Sequence, residues 1–267
     1  MKNLSDRDFK VHILGYGGAW DYKEGQAAFY IQCKDHEPVL VDCGSTVHPK
    51  LLELIGSTQR ALDENHIIIT HTHEDHVGSL STNIYHRYFQ ALIRNESATT
   101  NIIAMPAVKG LVNQKLLLIN NHNSDQFEFK DAGVFENLGM SIALVDTTGH
   151  HFEGYPTSGV VMRSAGGEYV VISGDINTPI FPLIKEQYPG AYEEMQANPK
   201  NVLVLHDITT FNFKENPHCF YEKLLNYKEK FPYIYGYHHD KGQMEALNQA
   251  GWVNFCGDYI DRDIKVE

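Results

Sequence analysis

Hydrophobic positions along the chain fall into short runs, most of them β-branched, and each run is closed by glycine, aspartate or histidine. Residues 11–18, 27–32 and 39–44 read as three strands joined by turns, a β-meander. Residues 48–55, with Leu51, Leu52, Leu54 and Ile55 on one face, follow a helical period. The continuous apolar run at 66–70 predicts a strand, and 78–93 a helix after it. A strand at 101–105, a helix at 107–119 and an edge-type alternation at 126–130 come next. Residues 140–145 form another strand, and 159–163 and 169–172, joined through Ala165-Gly166-Gly167, a hairpin. Beyond it lie a partly helical stretch at 179–198, a strand at 202–205, a helix at 217–225 and a strand at 233–237.

The ends of these strands carry the candidate chemistry. The run at 66–70 delivers His71, His73, Asp75 and His76; the strand at 140–145 leads to His150 and His151; and the hairpin ends at Asp175. The last two strands carry His206-Asp207 and His238-His239-Asp240. If the strands align in a sheet sandwich, all of these groups share one rim. Three imidazoles and a carboxylate within six residues are hard to account for by packing, because histidine nitrogen and aspartate oxygen are donors that zinc, manganese or iron accept. At least five histidines and two aspartates at strand ends suffice for two ions that share a carboxylate and a hydroxide. Two metals about 3.5–4 Å apart activate water and clamp both oxygens of a displacement, which suits phosphoester hydrolysis.

Several positions keep two readings. Asp42 at a strand end either orients a ligating imidazole or caps a helix. His206 either donates a proton to a leaving oxygen or ends a strand structurally, and His218 lies either near the site or on the surface. Tyr16, Trp20 and Tyr22 are candidates for stacking on a base or for the core.

Composition narrows the class. A chain of 267 residues without a Ser/Gly/Pro-rich linker is long enough for one large α/β domain, expected to span 1–267. Its 42% hydrophobic residues suit a globular protein, and no run approaches the roughly 20 apolar residues of a spanning helix. The N-terminus lacks the apolar region of a signal peptide, so a cytoplasmic location without membrane partners is expected. Cys33, Cys43, Cys219 and Cys256 form no CxxC pair and read as buried thiols. A net charge of −12 and the lack of a Lys/Arg cluster argue against a long polyanion such as RNA.

The HxHxDH run at 71–76 resembles the signature of the metallo-β-lactamase fold. That resemblance implies an α/β fold of four layers, an αββα sandwich. It implies two divalent ions, Zn or Mn, with His71, His73 and His150 on one, Asp75, His76 and His238 on the other, and Asp175 bridging. His150 is favoured over His151 because Thr-Thr-Gly-His matches the family's turn, and His238 over His239 because it directly follows the strand. Within the superfamily the chain is similar to the branch containing tRNase Z and the phage anti-Pycsar cyclic nucleotide phosphodiesterases. The features that carry this are the Leu-Gly-Tyr-Gly-Gly turn, the Leu-Val-Asp-Cys-Gly strand, and His206-Asp207-Ile208-Thr209 in place of an LxHEAT-type motif. The similarity runs from about Val11 to Asp240, and Glu74, Ile176 and Asp207 depart from the family's usual residues.

The function implied is hydrolysis of small cyclic nucleotides by attack of a metal-bridging hydroxide on phosphorus, with Asp75 and His206 as catalytic residues. It also implies a homodimer, working in the host cytoplasm if phage-encoded. A tRNA 3′-processing endonuclease and a hydrolase of lactones, lactams or thioesters are the alternatives. The chain has no long basic Gly/Pro-rich insertion of the kind some tRNase Z enzymes use to grip tRNA.

Overall fold

Apolar residues on both faces of most strands require two buried layers per sheet, and the fold supplies them. It is seen in a computed structural model that describes residues 8–55, 65–96, 98–239, 241–252 and 254–259. The N-terminal residues 1–7 and Asp240 lie outside the described residues.

In the first sheet β1 (Phe9–Gly15), β2 (Ala28–Cys33) and β3 (Pro38–Val41) pair antiparallel as the expected meander. Then β4 (His66–Ile68), β5 (Thr100–Ile103) and β6 (Phe127–Lys130) add in parallel. The second sheet begins with β7 (Gly133–Phe135), β8 (Met140–Asp146), β9 (Ser158–Ser164) and β10 (Tyr169–Ile172), all antiparallel. Its last two strands, β11 (Val202–Asp207) and β12 (Ile234–Tyr237), are parallel to β10.

Helices α1 (Val47–Ile55), α2 (Glu74–Val77), α3 (Leu80–Arg94) and α4 (Pro106–Asn113) lie in the first half of the chain. The second half holds α5 (Phe181–Gln187), α6 (Pro189–Ala197), α7 (Glu222–Lys228) and α8 (Lys241–Gln249).

The two-residue period of the strands sorts their side chains between layers. Val39, Val41 and Ile68 meet Ile172, Leu203 and Leu205 between the sheets. Leu40, Ile67 and Ile102 turn the other way, onto Leu51 of α1, Ile84 of α3 and Val108 of α4. On the second sheet Val202 and Val204 face outward with Ile184 of α5, Leu224 of α7, Leu247 of α8 and Trp252. Each such burial is worth roughly 1.5–3 kcal/mol. Strands covered on both faces read as continuous apolar runs, which is why 66–70 and 202–205 show no alternation. The result is the expected αββα sandwich.

Three helices differ from the sequence expectation. The helix expected at 78–93 is preceded by the short α2, which carries Asp75 and His76. The helix expected at 107–119 is α-helical only to Asn113, then π-helical over Gln114–Ile119. The helix expected at 217–225 starts at Glu222, because Thr209 first pairs with the backbone of Cys219 and Tyr221. His218 is therefore on a loop. Among the described residues no helix is long and apolar enough to cross a membrane.

Candidate metal centre

The chain leaving β4 is held by Asp42, which follows β3. Asp42 Oδ1 accepts from the Thr70 N–H at 2.9 Å, and Oδ2 accepts from the Thr70 hydroxyl at 2.7 Å and from His76 Nδ1–H at 2.8 Å. Of the two sequence readings of Asp42, the geometry is that of the imidazole partner. Taking the Nδ1 proton leaves the His76 Nε2 lone pair aimed inward, the arrangement in which a carboxylate fixes a ligand's tautomer. Gly44 lets α2 settle against this strand end, since a Cβ there would lie 1.9 Å from the Asp75 carbonyl oxygen.

Three imidazoles converge beside it. His71 Nε2 lies 3.1 Å from His73 Nδ1, and His151 Nε2 lies 3.2 Å from the same atom. Two of the outer nitrogens are occupied: His71 Nδ1 lies 3.1 Å from Thr70 Oγ1, whose own proton goes to Asp42, and His151 Nδ1–H donates to the Pro217 carbonyl. The His73 ring stacks on Tyr155 at 4.6 Å, and the Tyr155 hydroxyl shares a hydrogen bond with Thr72. Burial pushes His71, His73 and His151 below the usual imidazole range, which keeps them neutral, as ligands must be.

The adjoining set is rich in carboxylate. Asp75 Oδ2 lies 3.2 Å from His238 Nε2 and 3.4 Å from His76 Nε2. Asp175 touches both sets: Oδ1 is 3.4 Å from His76 Nε2, while Oδ2 is 3.5 Å from His238 Nε2 and 3.8 Å from both His71 and His151 Nε2. Burial works against the charge on Asp175, but His238 and His76 more than offset it and hold the carboxyl well below the usual range. For His76, too, burial opposes charge, and Asp175, Asp75 and Asp42 together raise its pKa well above the ordinary value.

These donors fit divalent cations. His76 Nε2 and Asp175 Oδ1 are buried with no hydrogen-bond partner. His73 Nδ1 faces the other two imidazole nitrogens at 3.1 and 3.2 Å, which sets lone pairs against one another. Tetrahedral Zn–N bonds of about 2.0–2.1 Å would hold their nitrogens roughly 3.3–3.4 Å apart, close to that spacing. His71, His73 and His151 form one donor group, and Asp75, His76, Asp175 and His238 another.

The structure places two of the expected site residues outside both donor groups. His151, not His150, completes the three-imidazole set. The backbone of His150 closes the turn, its N–H donating to Thr147 and its carbonyl accepting from Asn177, and its ring belongs to no donor group among the described residues.

The other is His206, which lies inside the fold with both ring nitrogens engaged. It is fully buried, its Nδ1–H donates to the Asp207 carbonyl at 2.8 Å, and its Nε2 accepts from the Ile180 N–H at 3.1 Å. Burial lowers its pKa to about 4, so the ring is a neutral strut between β11 and the start of α5.

The exposed alternative is His218. Its Nδ1–H donates to Asp207 Oδ2 at 2.8 Å, its ring lies 4.4 Å from that of His238, and its side chain is 24% exposed. Burial alone would lower its pKa, but the Asp207 carboxylate raises it to about 9. Asp207 Oδ2 also accepts from the Ile176 N–H, so two of the residues that depart from the family pattern meet here. Glu74, the third, pairs with Lys115 at 2.8 Å on the surface.

His238 occupies the second donor set, whereas His239 turns away to the Gly236 carbonyl and the Tyr16 and Phe255 rings. Beside His218 and His238 opens a cavity of about 600 Å³, whose walls include Trp20, Thr209, Phe211 and Gln243.

Two sheets between helical layers, with the HxHxDH loop at their rim, define the metallo-β-lactamase fold. The metallo-β-lactamase fold protein YhfI from Bacillus subtilis superposes with a TM-score of 0.69 at 15% identity, covering 92% of this chain and 94% of that one. Human tRNase Z, short form, gives 0.61 at 17% identity over 92% and 96% of the two chains. Residues 9–258 match the sequence profile of the Anti-Pycsar protein Apyc1 family, and the chain belongs to that family. The Anti-Pycsar protein Apyc1 of Bacillus phage 010DV004 is 35% identical over 71 residues, which span 27% of this chain and 26% of that relative.

Proposed function

We propose that the protein is a phosphodiesterase that opens the phosphodiester ring of small cyclic nucleotides at a centre for two divalent ions, Zn²⁺ or Mn²⁺. The observation that carries the reading is Asp175 lying between two donor sets, with the Asp207–His218 pair beside them. His71, His73 and His151 would hold one ion, Asp75, His76 and His238 the other, and Asp175 both. When bound, such paired ions lower the pKa of a water and offset charge on a phosphoryl group.

The remaining work falls to the chain. Thr70 and the Pro217 carbonyl take the outer nitrogens of His71 and His151, and Asp42 that of His76, which turns the opposite ring nitrogens toward the donor sets. Held protonated by Asp207, His218 gives its Nε2 proton to the ribose oxygen as the P–O bond breaks, because an alkoxide is a poor leaving group without one. Addition of water across that bond yields the linear mononucleotide. The phage source of the relatives supports work in a host cytoplasm, and the net charge of −12 disfavours RNA as substrate.

The test offers purified protein with Mn²⁺ or Zn²⁺ to cyclic mononucleotides, precursor tRNA and a chromogenic ester. Conversion of the cyclic compounds to linear mononucleotides is expected. Cleavage of the tRNA or the ester, with cyclic nucleotides left intact, would overturn the proposal.

A further inference from the structure

Two large aromatic side chains stand in water next to the metal centre. Trp20 is 89% exposed and Phe211 55% exposed, and both line the cavity that opens at His218 and His238. Its volume of about 600 Å³ falls within the roughly 300–1,000 Å³ of small-molecule sites. Aromatic side chains in the wall of a cavity of this size are the lining a small-molecule site uses.

The other two aromatics of the N-terminal turn behave differently. Tyr16 is buried against the His239 ring at 5.4 Å, and Tyr22, although exposed, is not part of the cavity wall.

The turn that carries Trp20 is built to hold its place. Gly17 N–H donates to Gly25 O at 2.8 Å, Ala27 N–H to Gly17 O at 3.0 Å, and Glu24 N–H to Asp21 Oδ1 at 2.9 Å. Lys50 Nζ closes it from α1 by donating to the Glu24 carbonyl. The turn passes beside the metal centre at Gly18, where a Cβ would be in ordinary contact with the His238 ring at 3.4 Å. Phe211 comes from the opposite side, on the loop after β11, where its N–H donates to Thr209 Oγ1.

We infer that Trp20 and Phe211 form the nucleobase site of this centre, with the base stacked on aromatic faces while the phosphate sits at the His/Asp sets. This rests on the cyclic nucleotide reading above. The cavity adjoins His238, so a nucleoside whose phosphate sits beside that ring can extend into it, and every base offers a π-face to such rings. Gln243, whose Oε1 accepts from the Thr209 hydroxyl, gives the same wall an amide.

Intrinsic fluorescence tests the site directly, because the chain has two tryptophans and the other, Trp252, is fully buried. A cyclic nucleotide added to the metal-loaded protein should quench emission saturably. The quenching should persist in Trp252→Phe and vanish in Trp20→Phe, and Phe211→Ala should raise the apparent Kd about tenfold.

A kinetic ratio gives the second readout: kcat/KM on a cyclic nucleotide divided by that on the base-free ribitol cyclic phosphate. It should fall about tenfold in Trp20→Ala and in Phe211→Ala, and Trp20→Phe should restore much of it. Hydrolysis with no quenching and an unchanged ratio in both variants would overturn the base site and leave the phosphodiesterase standing. Saturable quenching without hydrolysis would sink the phosphodiesterase and keep the base site. Neither binding nor hydrolysis would sink both.

Discussion

The two donor sets hold the same ligand type in opposite electrostatic settings. His71 and His151 give their outer nitrogens to uncharged oxygens, a hydroxyl and a carbonyl, and no carboxylate but Asp175 enters their set. His76 gives its outer proton to the Asp42 carboxylate and faces Asp75 and Asp175 on its inner side. Burial drives the first imidazoles toward neutrality, whereas the carboxylates around His76 pull it toward charge. One set is nearly neutral and the other anionic, so a substitution should read out differently on each side of Asp175.

The sharpest break comes at the adjacent pair His150 and His151. His151→Ala should abolish turnover and release the ion of the three-imidazole set, while His150→Ala should leave metal content and turnover as they are. Elemental analysis beside a rate assay checks both. The reverse pattern would return the ligand to the residue that the family turn favours.

Next in size is the proton donor. His218→Ala should lower kcat on a cyclic nucleotide by roughly 10²–10⁴-fold. The loss should be smaller on bis(p-nitrophenyl) phosphate, because p-nitrophenolate departs without a proton. His218 has a raised pKa, so its protonated form is present below about pH 9 and lost above it. The wild-type rate should therefore decline as the pH rises through 9, and that limb should be missing from the variant. His206→Ala should lower thermal stability and leave the substrate dependence of the rate unaltered, since that ring braces α5.

A smaller and unequal effect is expected at Asp42. Asp42→Asn keeps the shape but weakens the acceptor of the His76 proton, and a loss of about 10–100-fold in metal affinity is the usual scale for such partners. It should be larger on the ion at His76, which Asp42 touches directly, than on the three-imidazole ion, which it reaches only through Thr70 and His71, as resolved by competitive chelator titration. An equal loss on both would erase the contrast between the sets.

Most of the fold is legible in the sequence because strands buried on both faces announce themselves as continuous apolar runs, as at Ile67-Ile68-Ile69 and Val202-Leu203-Val204-Leu205. The ligand loop is legible for a related reason, since it starts where such a run stops.

What the sequence does not resolve depends on irregular backbone. Whether His150 or His151 faces the sheet rim is set by the turn at Gly149, at a φ of 82°, and by the His150 N–H closing on Thr147, neither of which has a sequence period. His218 sits in the loop before α7, where Asn216 Oδ1 accepts its N–H and no periodicity marks its side chain. The choice of His206 followed strand-end logic, but β11 continues through Asp207 and keeps the ring inside. Phe211 carried no signal, because its meaning lies in an exposure that only the folded cavity reveals.

The central claim is that Asp175 sits between two ion sites. Counting metal per chain after saturation with Mn²⁺ or Zn²⁺ and removal of the excess tests it most directly, in the wild type and in Asp75→Ala. Two ions are expected in the wild type and one in Asp75→Ala, retained by His71, His73 and His151, with turnover lost. No more than one ion in the saturated wild type would contradict it.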